Sequence, residues 1–68
     1  MGNDNDFLDT EALAAMLHTV PGTIRYWRHA GTGPSGFKVG RRVLYRRSAV
    51  SAWLAEQETA DAAARAAV

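Results

Sequence analysis

Sixty-eight residues with no cysteine make one domain near the lower size limit for folding without disulfide or metal staples. Thiolate metal sites are excluded, and His18 and His29 without Cys partners make a poor metal site, so no metal and no cofactor is expected. The start is acidic and polar rather than a secretory signal, and no apolar run approaches a membrane span, so a cytoplasmic, nucleoid-associated protein is expected.

The net charge of +1 hides an uneven distribution. Residues 1–11 carry Asp4, Asp6, Asp9 and Glu11 and no base. Residues 12–55 carry Arg25, Arg28, Lys38, Arg41, Arg42, Arg46 and Arg47 and no acid. Residues 56–68 return to Glu56, Glu58 and Asp61, with Arg65. A merely solvated surface mixes signs, so a long acid-free block favours a polyanionic partner such as nucleic acid.

In chain order, residues 1–6 are expected to be disordered, because nothing there repays the ordering entropy. Asp9 or Thr10 can cap a helix whose positive end suits Glu11. Leu13, Met16 and Leu17 then predict a first helix from about Thr10 to Leu17. His18-Thr19-Val20 forms a turn, with Thr19 as the candidate cap of the next helix.

Pro21 suits the first turn of that second helix, since it lacks an amide hydrogen and its φ is preset. Ile24, Trp27 and Ala30 share an apolar face and leave Thr23, Arg25, Tyr26 and His29 pointing elsewhere. Gly31 is the candidate left-handed stop. The glycines of 31–36 invite a phosphate-cradle reading, but the Gly-Lys-Ser/Thr ending of a P-loop is missing. Phe37-Lys38-Val39 and Arg42-Val43-Leu44-Tyr45 are β-prone, and Gly40-Arg41 between them fits a type II′ hairpin.

Val50, Trp53 and Leu54 mark a third helix opening near Ser48, which the alanine-rich stretch 56–68 either extends or follows as a frayed tail. The predicted core is Leu8, Leu13, Leu17, Ile24, Trp27, Val39, Tyr45, Val50, Trp53 and Leu54. The fold class is mainly α with a small β-hairpin: helix, turn, helix, hairpin wing, helix. Residues 7–55 form the domain.

Catalysis has little support, because every carboxylate lies in the flanks and no serine has a His–Asp arrangement nearby. Binding chemistry is better supplied. Arginine can bridge guanine O6 and N7 or clamp a phosphate with two hydrogen bonds. The amides at Pro21-Gly22 open a helix whose dipole favours an anion, and Gly22 lets backbone approach closely. The candidate DNA-binding residues are therefore Pro21, Gly22, Thr23, Arg25, Tyr26, Arg28 and His29 on the second helix. Lys38, Arg41, Arg42, Arg46 and Arg47 are the candidates on the wing and the strand leaving it. Arg28 has two open roles, contact with DNA or structural use against Trp27 or an acid of the first helix.

These residues resemble a family. Leu8-Asp9-Thr10-Glu11-Ala12-Leu13-Ala14, Thr23-Ile24-Arg25-Tyr26-Trp27-Arg28, Phe37 to Tyr45 and Val50-Ser51-Ala52-Trp53-Leu54, in that order, look like the excisionase-type helix-turn-helix domain. It is a small relative of the MerR winged helix, found in phage excisionases and AlpA-like regulators. The resemblance implies that the second helix enters the major groove and the hairpin touches backbone or minor groove. Carried over, those roles fall on Thr23, Arg25, Tyr26, Arg41 and Arg42. His18-Thr19-Val20 departs from the family's usual Gly, apolar residue and Ser or Pro. The long dimerisation helix and effector domain of full MerR regulators are not in the sequence.

The expected function is sequence-preferring binding of double-stranded DNA, as an excisionase that binds tandem sites cooperatively and bends them. A site-specific integrase and head-to-tail copies of the chain are the expected partners beyond DNA. A small Cro- or AlpA-like transcriptional regulator is the nearest alternative, and a protein-interaction module with a basic face is the alternative from another class.

Overall fold

The computed structural model describes residues 6–66. Of the N-terminal stretch expected to be disordered, residues 1–5 lie outside the described residues, and Asp6 is exposed at the start of the fold. The elements are β1 (Phe7–Asp9), α1 (Thr10–Met16), α2 (Pro21–Ala30), β2 (Gly36–Val39), β3 (Arg42–Arg46) and α3 (Arg47–Ala66). Three helices and a three-stranded antiparallel sheet of order β1-β3-β2 make an architecture consistent with a winged helix-turn-helix.

Asp9 starts α1, its Oδ1 accepting a hydrogen bond from the Ala12 amide at 2.8 Å. The turn that follows is closed by two backbone bonds, from the His18 amide to the Ala15 carbonyl and from the Thr19 amide to the Ala14 carbonyl. This pattern places His18 in the left-handed region, at φ 59°. Thr19 does not cap α2, contrary to the sequence reading. Pro21 is the first helical residue, so the cap position falls on Val20, which has no side-chain oxygen to offer. Gly31 ends α2 in the left-handed conformation, as expected.

Val39 pairs with Arg42 across Gly40-Arg41, and Gly40 has φ 61° while Arg41 keeps negative φ, as a type II′ turn requires. β1 is the strand the sequence reading lacks: Leu8 pairs with Tyr45 and Phe7 with Arg46, which turns the hairpin into a sheet. α3 opens at Arg47 and runs unbroken to Ala66, so the alanine-rich stretch extends the helix rather than fraying from it as far as the described residues go.

Leu8, Leu13, Ala14, Ile24, Tyr45 and Val50 are buried, with Leu17, Trp27, Val43 and Leu54 packed partly against them. Trp53 is half-buried and stacks obliquely on Trp27, with ring centroids 5.3 Å apart. Val39 is the error in the predicted core, being 53% exposed. Period-two alternation puts Val39 and Phe37 on the face of the sheet opposite to Tyr45 and Leu8, and side-chain type alone does not fix that phase.

Candidate nucleic-acid interface

The interface is built on α2. Ile24 faces the core with 1% exposure, and residues at i+3 and i+4 spacing on the far side form an outward ridge. That ridge holds Gly22, Arg25, Tyr26 and His29, all exposed, with the Tyr26 ring 67% accessible. Pro21 and Thr23 flank it and are partly covered. Because no side chain caps α2, the positive end of its dipole is open to an anion at Pro21-Gly22.

The hairpin stands beside α2, and an open groove of about 580 Å³ lies between them. Arg25, Arg28 and His29 come to this groove from α2, and Arg41 and Arg42 from the hairpin. Five of the candidate side chains, separated in sequence by the glycine loop, therefore share one concavity. Lys38, Arg46 and Arg47 do not line it. Lys38 is exposed on β2, and Arg47 is exposed at the opening of α3. The Arg46 guanidinium lies 5.0 Å from the Phe7 ring centre on the other face of the sheet.

Two carboxylates also enter the groove, Asp9 and Glu11 from the start of α1. Read in one dimension, the acid-free block hides them. Asp9 Oδ2 lies 3.5 Å from Arg42 Nη1, a long pair with both side chains well exposed, so it orients Arg42 more than it stabilises the fold. Tyr45 reaches the groove from below, although its side chain is 1% exposed. Burial raises its hydroxyl pKa above 10.0, and the nearby Arg28 charge partly offsets that rise. Arg28 thus lines the groove, and its charge acts on the Tyr45 hydroxyl.

A family model described as a helix-turn-helix domain matches residues 7–58. The chain belongs to that family. Comparison with curated proteins and with solved structures gave no match. Within the helix-turn-helix domain, α1 and α2 are the paired helices, the turn is the segment around His18, and α2 is the helix that carries the exposed ridge. The domain supports sequence-specific binding of double-stranded DNA. No helix among the described residues is long and apolar enough to cross a membrane.

Proposed function

We propose that this helix-turn-helix protein is a non-enzymatic DNA-binding factor of the excisionase type, which occupies tandem sites cooperatively and bends the duplex. The observation that carries the reading is the shared groove: Arg25, Arg28 and His29 of α2 stand opposite Arg41 and Arg42 of the hairpin. A helix laid in the major groove through Arg25 and Tyr26 leaves the hairpin arginines beside the flanking phosphates. Phosphate contacts on one side of the duplex, made by successive copies, favour bending toward the protein. The MerR-like character and the excision role draw their support from the resemblance described for the sequence. An integrase acting on the same DNA is the partner class that such a role entails.

Mobility shifts on duplexes carrying one, two and three copies of a selected site test the reading, together with circular-permutation bend analysis. Cooperative loading with a bend that grows per copy is expected, and binding should weaken steeply with salt. Tight, salt-dependent binding without cooperativity or bending leaves a transcriptional regulator in its place. Salt-insensitive binding would remove DNA altogether and leave a protein-interaction module.

A further inference from the structure

Among the described residues, the outer face of the sheet keeps its large apolar side chains exposed. Phe7, Phe37 and Val39 are 42%, 38% and 53% exposed, and the register puts all three on one face with Leu44. The two phenylalanine rings meet edge to face at 5.9 Å, giving the patch a rigid centre. Arg46 lies over Phe7, and Arg42 stands at the hairpin end of the same face. Contiguous exposed apolar side chains rimmed by charge are the kind of surface that marks interaction sites.

One other feature of the chain matches it in chemistry. Beyond Leu54, α3 continues to Ala66 with every side chain exposed. This half-helix presents alanines together with Glu58 and Asp61 on one side and Glu56 on another, and Asp61 carries an exposed ion pair with Arg65 at 3.0 Å. At about 1.5 Å per residue it is about 18 Å long, comparable with the roughly 15 Å of a strand of the sheet.

The geometry points to one occupant: the free half of α3 from a second copy lies across the Phe7–Phe37–Val39 face, its Glu58 and Asp61 side turned toward Arg46. The contact is heterologous, since the donor's helix and the acceptor's sheet are different surfaces, and it therefore repeats from copy to copy. A twelve-residue half-helix on three short strands is a limited contact, so it forms when DNA holds copies side by side. This inference names the surfaces for the cooperative loading proposed above and rests on that reading.

The absence of cysteine allows a direct test. Two single variants, Phe37→Cys and Asp61→Cys, are mixed on a mixed-sequence duplex of about 30 bp and on one of about 10 bp, one helical turn, and then oxidised. A Phe37–Asp61 cross-linked pair is expected on the longer duplex, on the order of tenfold more than on the shorter one. The doubly substituted chain is expected to give a ladder of higher species. Val39→Cys repeats the pairing at the most exposed point of the same face if losing the Phe7 contact unfolds the Phe37 variant. Normal mobility shifts without any mixed cross-link would overturn the docking inference and leave DNA binding intact. Cross-links between two Phe37→Cys chains, or a closed dimer from the doubly substituted chain, would overturn it in favour of a symmetric contact. Loss of the mobility shift itself in the unsubstituted protein would instead sink the DNA-binding reading on which it rests.

Discussion

Replacing Gly36 by alanine should damage this protein out of proportion to the single methyl group added. An ideal Cβ at Gly36 would lie 2.6 Å from Cε2 of Tyr45, 2.9 Å from Cδ2 and 3.0 Å from Cζ. Ordinary contact begins near 3.4 Å, so the shortfall approaches 1 Å, and neither side is free to move. The Tyr45 side chain is 1% exposed, and Gly36 is held opposite it by strand pairing. Overpacking of this kind costs about 1–3 kcal/mol, against an entropic gain from alanine of about 0.4–1 kcal/mol. A net loss of about 1–2 kcal/mol is a large share of the roughly 3–5 kcal/mol available to so small a core. Near 4–8 °C per kcal/mol, Tm should fall by roughly 5–15 °C. Circular dichroism melts of Gly36→Ala beside Gly22→Ala make the comparison internal. Nothing lies within 4 Å of a Cβ at Gly22, so Gly22→Ala should hold or raise Tm by a few degrees while weakening DNA binding. A Gly36→Ala protein melting with the parent would show that Tyr45 is not pinned and that the groove floor is softer than its burial implies.

Arg25→Ala should cost about 1–3 kcal/mol in binding and relax preference at one base position, whereas Arg41→Ala should weaken all sequences alike and lower the salt slope by roughly one; footprints and salt titrations separate the two. Trp27→Ala and Trp53→Ala should each cost about 2–3 kcal/mol, less than a wholly buried ring because both are half-exposed. The double variant should fall short of additivity by about 0.5–1.5 kcal/mol, since the rings touch; strict additivity in urea melts would count against the contact. His18→Gly should stabilise by about 0.5–1 kcal/mol, because His18 holds φ 59° at a strain that glycine avoids; an unchanged or lower urea midpoint would contradict that. Tyr45 binds its proton more tightly folded than unfolded, so its contribution is present below pH 10.0 and lost as pH rises toward its raised folded value. Tyr45→Phe should make the alkaline loss of stability shallower, and an identical pH profile would refute the burial argument.

The second helix was legible because its signals are local: Pro21 at the start, Gly31 at the stop, and Ile24 and Trp27 at helical spacing. The hairpin was equally plain from Gly40-Arg41 between two β-prone runs. β1 was missed because three residues carry no usable period, and its partner β3 lies across the whole helix-turn-helix. The phase of β2 was misread at Val39 for a related reason, since pairing to β3 decides which face is inner. On α2, Arg25, Tyr26 and His29 are exposed on the side away from Ile24, as their spacing implied, whereas Thr23 is partly covered. Asp9 and Glu11 were assigned to an acidic flank, but the fold of α1 against α2 and β3 carries them to the rim of the groove. Arg46 lies over Phe7 and does not reach the groove, although Arg42, in the same strand phase at the hairpin end, lines it.

Strand β1 also sets the order in which the molecule can assemble. The hairpin alone would be marginal in water, as two-stranded sheets are. Its third strand arrives only when Leu8 finds Tyr45, with both helices of the DNA-binding motif already enclosed in the loop between them. The paired helices therefore cannot mature first and acquire a wing afterwards, because closing the sheet wraps the motif and completes the core in one step. Reading helix and wing should form and melt as one cooperative unit. Amide exchange should show β1 and α2 opening with the same free energy, even though one is three residues long and the other ten.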